Sequence, residues 1–320
     1  MDNVTPYLVP ASLEHFSETE YLDANKDIQE AISKGIIESG LHHFKALGYA
    51  ENRFFARRAA VARQKEKKLK YIVSNLLNKD ELLGIHDCGA LDCLRPEYRI
   101  SAGITPTTAV SSHGYDDVNL KYIESNPTSW ILDVGAGLCP SYYHNVVNFE
   151  VVPYDTTDVL GIAEKLPFKD GVFDYVISSA VLEHVRNPAA AAKELYRVLK
   201  PGGGIYIAAP FLCPYHGYPH HYFNMTAQGL RSLLPEELVD CNQYVPHFFA
   251  PLWSARHLFL HWISSLDEPA KEQLLNTKVR EFVEASPADY TKDYNSKLSL
   301  QQQLDIAYGT VLTAKKPLAP

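Results

Sequence analysis

The apolar positions of the chain fall into distinct regimes. From residue 13 to residue 70 they recur at helical spacing. Leu13, Phe16, Tyr21 and Leu22 precede Ile28, Ala31, Ile32 and Ile36, and Gly35, Gly40 and Gly48 punctuate the pattern into short helices. Arg57 to Lys70, rich in Arg, Lys and Ala, reads as a helix that Tyr71, Ile72 and Leu76 continue, its basic face solvated or, alternatively, a local patch for a polyanion. Residues 71–125 are mixed and turn-rich around Gly89 and Gly103. From Trp130 the pattern changes to short apolar runs, which predict strands at Trp130-Ile131-Leu132, Phe149 to Val152, Val159-Leu160, Phe173 to Ile177 and Ile205 to Ala208. A helix is predicted from Pro188 to Leu199, a turn at Pro201 to Gly204, and a further strand from Gly309 to Ala314. Strands alternating with helices predict an α/β protein with a parallel sheet covered on both faces. The expected organisation is a helical N-terminal module over 1–70 and a second domain over 71–320.

The apolar stretch from Phe248 to Ile263 is interrupted by Pro251, Arg256, His257 and His261, so it reads as an amphipathic helix and no membrane span is expected. A formal net charge of −8 argues against a nucleic-acid-wrapping surface. The five cysteines are odd in number and irregularly spaced, which gives no disulfide framework and fits reduced thiols in a cytoplasmic protein. His86, Cys88 and Cys93 form no CxxC pair and lack a fourth ligand, so no metal is expected there. The N-terminus shows no basic region followed by an apolar stretch, and no secretory signal is read.

The chemistry concentrates at Asp133-Val134-Gly135-Ala136-Gly137. A strand ending in Asp-x-Gly-x-Gly and leading into a helix is a nucleotide-binding turn, in which glycines allow a tight bend and close approach of a ligand. A pyrophosphate-binding fingerprint needs a third glycine, and Pro140 stands in its place. A ligand with a positive amino group and sulfonium instead suits the carboxylate of Asp133.

Residues further along extend the pattern. The turn, then Leu166-Pro167-Phe168, Phe173-Asp174-Tyr175-Val176, Leu182-Glu183-His184-Val185, Glu194 and Arg197 through Gly203, closely resemble the class I S-adenosylmethionine-dependent methyltransferases over roughly residues 110–235. The resemblance implies a doubly wound, seven-stranded, mostly parallel sheet of the Rossmann-like methyltransferase type, its last strand, 309–314, antiparallel. It implies S-adenosyl-L-methionine as cofactor, held by Asp133, Gly135, Ala136, Gly137, Glu150, Ile162, Ala163, Ser179, His184 and Tyr115. Glu150, ahead of Asp155, matches the acidic residue that takes the ribose hydroxyls. Gly161 to Glu164 matches the loop that cups adenine, although Ile162 stands where many relatives have Asp. Cys139 replaces the family's third glycine. Phe16, Tyr21-Leu22, Asn25, Asp27-Ile28, Gly35, His43-Phe44 and Asn52-Arg53 resemble a short helical module found in bacterial proteins of surface-polysaccharide synthesis. That resemblance implies a saccharide or other small hydroxylated acceptor, and a partner protein met through the module.

Two histidine-bearing stretches flank the core. One is Ser112 to Asp116; the other runs from Pro210-Phe211 through His216-Gly217-Tyr218-Pro219-His220-His221-Tyr222 to Asn224-Met225-Thr226, and resembles a bacterial subset of the same methyltransferases. Loops at strand C-termini line the crevice of doubly wound sheets. A hydroxyl acceptor needs a proton removed, and histidine titrates near neutrality. His216, His220, His221, Tyr222 and His113 are therefore the catalytic candidates, and residues 241–308 are expected to be helices over the acceptor side. His216 and His220 have helical i, i+4 spacing, but Gly217 and Pro219 argue against a helix, so no metal is expected here either. The competing class is a cofactor-binding interaction protein without turnover, which the substitutions at Ile162 and Cys139 permit. Nicotinamide-dependent oxidoreduction is disfavoured by Pro140.

Overall fold

The computed structural model describes residues 3–107, 110–217, 220–285 and 292–306. Its strands are β1 (Val4–Pro6), β2 (Leu8–Pro10), β3 (Phe54–Ala56), β4 (Gly84–Ile85), β5 (Leu91–Asp92), β6 (Ile131–Val134), β7 (Ser141–Tyr143), β8 (Val146–Glu150), β9 (Val159–Leu160), β10 (Phe173–Ser179) and β11 (Leu199–Ala208). Seven of them form one sheet in the order β11-β10-β6-β8-β9-β5-β4. Every pairing in it is parallel except β4 with β5. All four residues of β6 and all five of β8 are buried, as a sheet covered on both faces requires. Leu132, Val134, Val147, Phe149, Phe173 and Val176 meet the helical residues Leu195 and Val198 in the main core.

The helices that matter for the site are α1 (Glu18–Ala24), α2 (Lys26–Ser33), α3 (Gly40–His43), α4 (Arg58–Tyr71), α5 (Pro96–Ser101), α6 (Asp117–Ser125) and α7 (Pro188–Val198). The start of α7 is explained by its sequence. Asn187 caps the Ala190 amide, Pro188 occupies the first turn, and Ala191, Ala192, Leu195 and Val198 make one buried stripe. The chain lays down β6, moves to β8 and β9 on one side, then returns to place β10 and β11 on the other. The order therefore reverses between β6 and β10, and the crevice outside their C-terminal ends is the expected ligand position.

The seven-stranded, doubly wound, mostly parallel sheet is as expected, but its strands do not all come from the expected residues. The antiparallel edge is β4, within the stretch read as mixed, and Gly309 to Ala314 lie outside the described residues. Strand β8 begins at Val146 rather than Phe149, and β11 begins at Leu199 rather than Ile205.

A larger correction concerns the segment after the glycine turn, where a helix was expected and none forms. The chain runs instead through β7 into β8, and only residues 135–145 connect the parallel neighbours β6 and β8. Pro140 restricts Cys139 to extended conformations, and Tyr142 and Tyr143 favour a strand. The N-terminal residues supply the missing cover. β1 pairs antiparallel with β7, Val4 opposite Tyr143. The amides of Tyr7 and Leu8 both donate to the Pro140 carbonyl, at 2.8 and 3.1 Å. Tyr7, Ala56, Val61 and Tyr142 share a buried cluster that includes Leu138.

The solvated-helix reading of Arg57 to Lys70 is corrected as well. Lys65 and Lys68 are buried on α4. Lys68 Nζ lies 2.6 Å from Asp158 Oδ2 and over the face of Tyr142, and Lys65 Nζ donates to the Asp155 carbonyl at 2.6 Å. Asp155 itself accepts from Tyr7 Oη and from the Arg58 guanidinium, each at 2.6 Å at its closest. Burying an ammonium demands a partner, and the loop between β8 and β9 provides it. The short helices α1, α2 and α3 surround a small core of Tyr21, Ile28, Phe44 and Phe55, where Tyr21 Oη and His43 Nδ1 are 2.9 Å apart.

After a short helix at Ala227–Ser232, the described residues form helices at Pro251–Ser264, Glu268–Leu275, Val279–Val283, Asp293–Ser296 and Leu300–Ile306. The first of these is a helix, as expected, but none of its residues is fully buried. The Tyr215 amide donates to the Asp305 carbonyl at 3.0 Å, which ties the last of these helices to the histidine loop. Among the described residues, no helix is long and apolar enough to cross a membrane.

Candidate functional site

The turn after β6 is built by two left-handed glycines, Gly135 at φ +73° and Gly137 at φ +62°. A Cβ on Gly135 would collide with Val181 Cγ2, and one on Gly137 would lie 2.7 Å from the Ser111 carbonyl oxygen. These positions accept only glycine, because the conformation is strained for any other residue and the space is filled. Gly137→Ala is expected to cost about 1–3 kcal/mol of stability. A shifted urea midpoint reads this, and an unshifted midpoint would show that the turn tolerates a side chain.

Two carboxylates lie beneath the turn without a cationic partner among the described residues. Asp133 is buried, and its Oδ2 accepts from Tyr115 Oη at 2.7 Å. Burial raises its pKa to about 7, against the opposing pull of the Tyr115 hydrogen bond. Tyr115 is held protonated by its own burial and by the neighbouring Asp133, so it remains a donor. Glu150, also buried, accepts from the amides of Gly137 at 2.9 Å and Val151 at 2.6 Å, and more weakly from Val152 at 3.3 Å. Burial raises its pKa, and those amides oppose the shift. A carboxylate offers about four acceptor positions. Glu150 spends three on the backbone, so its capacity for ribose hydroxyls is smaller than the sequence alone suggested.

The remaining cofactor candidates surround the same turn. Ala136 is buried within it. Ile162 is buried in an apolar cluster with Leu160 and Leu94, beside the half-buried Val151 and Ile104. Ala163 points into the main core. Ser179 ends β10, opposite Ala208 of β11. Ala180, the next residue, has φ +56°, an uncommon conformation for a residue with a Cβ. This strain lies at a strand end bordering the crevice, beside a position that the family resemblance already assigns to the methionine end of the cofactor; the residue type itself does not signal the strain. His113 lies on the segment whose Ser111 and Ser112 clamp Leu138; desolvation lowers its pKa, and the charge of Glu150 opposes that shift. It therefore stands on the Glu150 side of the turn, apart from the other histidines.

Those histidines divide by their hydrogen bonds. His184 Nδ1 lies 2.7 Å from the His220 carbonyl and His216 Nδ1 lies 2.9 Å from the Pro214 carbonyl. A carbonyl only accepts, so each Nδ1 carries its hydrogen and each Nε2 presents a lone pair. His221 is occupied at both ends. Its Nδ1 accepts from the His216 amide at 3.2 Å, and its Nε2 faces Asn224 Oδ1 at 3.0 Å. It braces the loop. The His220 imidazole is turned away toward Gly103, where a Cβ would collide with its Nε2. The Tyr222 ring lies 5.4 Å from that of His220, tilted by 50°, and the Arg186 guanidinium stands over it. The rings of His184 and His216 are 5.1 Å apart, and Gly217, at φ +81°, leaves room for His184. The structure thus groups His184, His216 and His221 and separates His220 and His113 from them.

Glu183 joins the group, although it was not singled out from the sequence. It is fully buried, and neither carboxylate oxygen has a hydrogen-bond partner among the described residues. Burial raises its pKa to about 7. The loop is fastened over it by the amides of Tyr222 and Phe223, which both donate to the Glu183 carbonyl.

The arrangement is a positive-ligand cradle at the switch point with an imidazole-lined mouth beside it. The cradle fits S-adenosylmethionine: its two buried carboxylates, which have no cationic partner among the described residues, match the ammonium, sulfonium and ribose hydroxyls of that ligand. Residues 133–207 match the family described as methyltransferase domain. The comparison thus places a methyltransferase domain in this stretch. The chain is 35% identical over 121 residues to a demethylmenaquinone methyltransferase of Streptomyces avermitilis, covering 31% of this chain and 52% of that protein. It is 28% identical over 123 residues to norajmaline N-methyltransferase of Rauvolfia serpentina, covering 38% and 36% respectively. It thus spans about half or less of these relatives' length. Among solved structures, phosphoethanolamine N-methyltransferase 2 of Haemonchus contortus with S-adenosyl-L-methionine is similar at 17% identity and a TM-score of 0.31, covering 59% of this chain and 50% of that one.

Proposed function

We propose that the protein transfers the methyl group of S-adenosylmethionine to a hydroxyl of a saccharide or other small acceptor. The observation that carries this reading is the junction of the carboxylate-floored turn with the histidine mouth, where Val181 touches Gly135 and His184 comes three residues later. The bound cofactor supplies an electrophilic methyl on a sulfonium, which leaves as a neutral thioether. The protein's part is to hold the ammonium and ribose at Asp133 and Glu150, and to align the acceptor. Alignment is the larger contribution, worth up to about 7–11 kcal/mol in well-oriented reactions. His184 and His216, whose rings lie 5.1 Å apart, are the groups assigned to bind the acceptor hydroxyl and take up its proton. The saccharide class is supported by the resemblance of the N-terminal helices to modules of polysaccharide-synthesis proteins.

The test is transfer of labelled methyl from the cofactor to a panel of saccharides, phenols and amines. Label on a saccharide oxygen is expected. Turnover confined to phenols or amines would overturn the acceptor class. A cofactor-binding protein without turnover is a second reading, favoured by the three backbone amides already on Glu150 and by the apolar Ile162. Calorimetric binding of S-adenosylmethionine with no labelled product on any acceptor would establish it.

A further inference from the structure

Glu183, His184 and His216 each place a ligand atom within 4.8 Å of the other two. His184 Nε2 and Glu183 Oε1 are 3.9 Å apart. Three features set this group apart from a chance cluster. First, both oxygens of the fully buried Glu183 lack any hydrogen-bond partner among the described residues. A buried carboxyl in that state is costly, and each such group in a native structure calls for a missing partner. Second, both imidazoles are fixed in the tautomer a metal needs. Their Nδ1 atoms face the carbonyls of His220 and Pro214, that of His216 also lying 3.5 Å from Cys213 Sγ, and their Nε2 atoms have no hydrogen-bond partner among the described residues. An Nδ1–H held by a backbone carbonyl is the usual orienting contact of a metal-bound histidine. Third, His221, which could compete for the same ion, is tied at both nitrogens to the His216 amide and Asn224.

We infer that Glu183, His184 and His216 form a site for one divalent transition-metal ion, of the Zn²⁺ type, at the mouth of the methyl-donor crevice. Two imidazole nitrogens and one carboxylate oxygen are a borderline donor set, which suits Zn²⁺ or Co²⁺ and is poor in oxygen for Mg²⁺ or Ca²⁺. For metal–ligand bonds of about 2.1 Å, tetrahedral ligand atoms lie about 3.4 Å from one another. The three side chains therefore close on an ion by moving about 1 Å or less toward a common centre. His216 is followed by Gly217, whose φ of +81° and lack of a Cβ let the backbone pass against the His184 ring. Three protein ligands leave one position for an oxygen, as in metal sites that bind substrate or water rather than only brace a fold. Filling that position with the acceptor hydroxyl rests on the methyltransferase reading; the ion site itself does not.

The experiment separates the two. Full-length protein is stripped with a chelator and titrated with Co²⁺, whose visible absorption reports nitrogen and carboxylate ligation, and with Zn²⁺ in competition. One ion per chain is expected. Glu183→Gln and His216→Ala are each expected to weaken binding at least about a hundredfold. His220→Ala, whose ring faces Gly103, is expected to leave affinity unchanged. Absence of stoichiometric binding, or equal affinity in all three variants, would overturn the site. Should Glu183→Gln not fold, X-ray absorption of the Co²⁺ protein still decides, since any count other than two imidazoles per ion rejects it. Calorimetry with S-adenosylmethionine on the same metal-free protein tests the methyl-donor reading independently. Ion binding without cofactor binding would sink that reading and leave the site standing.

Discussion

Asp133→Asn is expected to weaken S-adenosylmethionine binding by at least about a hundredfold, or about 2.8 kcal/mol. The carboxylate sits beneath the turn with a tyrosine as its hydrogen-bond partner and no cation of its own among the described residues. Bound ligand would supply that cation, and an amide cannot answer its charge. Losing the counter-charge of a desolvated ion is among the costliest single changes in a site. The same change removes a buried charge from the free protein, so the cofactor-free form should be no less stable. Calorimetry and urea denaturation on one variant therefore move in opposite senses. A parallel loss of both would mean that Asp133 serves the fold rather than the ligand.

The wild-type protein carries a matching pH signature. Burial places the Asp133 pKa at about 7. Below that value a proton must leave before the positive ligand is accommodated, so affinity should fall about tenfold per pH unit between about 7 and 5. The raised value also sets the sign for the free fold. Its folded pKa exceeds the unfolded carboxylate value of about 4, so the stability it contributes is present in acid and is lost as pH rises through about 7. Flat affinity across this range would show that another group neutralises the ligand.

Lys68→Ala should be the most damaging change to stability, at about 3–5 kcal/mol. Lys68 is fully buried against Asp158, which also accepts from Tyr142 Oη and, at 2.9 Å, from the Asn148 amide. Burial lowers the lysine's pKa and Asp158 opposes that shift. Removing the ammonium strands a carboxylate in a buried site. Pairing Lys68→Met with Asp158→Asn should recover much of the loss, because no charge is then left alone. Equilibrium denaturation of the single and double variants reads both. A single-variant cost below about 1 kcal/mol would mean that solvent reaches Asp158 when the lysine leaves.

How far the sequence reached depends on which interactions are local. The glycine turn was legible because its two glycines mark conformations that other residues avoid. The helix at Pro188–Val198 was legible because cap, proline and apolar stripe agree. The missing helix after Gly137 was not. That region's conformation is fixed partly by β1 and α4, and no local pattern in residues 138–145 names a partner so distant. The two-residue strands β4 and β5 are too short to show any periodicity. The histidines were found as a group, but their roles depend on which nitrogen meets which carbonyl. His216 and His220 look equivalent in sequence, yet one ring turns toward Glu183 and the other toward Gly103. Glu183 passed unnoticed because only a tertiary structure reveals that a carboxyl lacks partners.

The pairing of β1 with β7 also has a bearing on how the molecule reaches its folded state. Tyr7 and Asp155 are 148 positions apart in the chain, yet they must meet to secure the segment after the turn. Closing a loop of that length costs about 4 kcal/mol of chain entropy before any contact repays it. Such distant pairings are slow to form. The glycine turn should therefore acquire its final shape late in refolding, after the sheet's own local strands have assembled. On the ribosome, Tyr7 must wait for Asp155, 148 positions later in the chain, before it finds its place. Cofactor binding would then report completion of the whole fold rather than of the sheet alone.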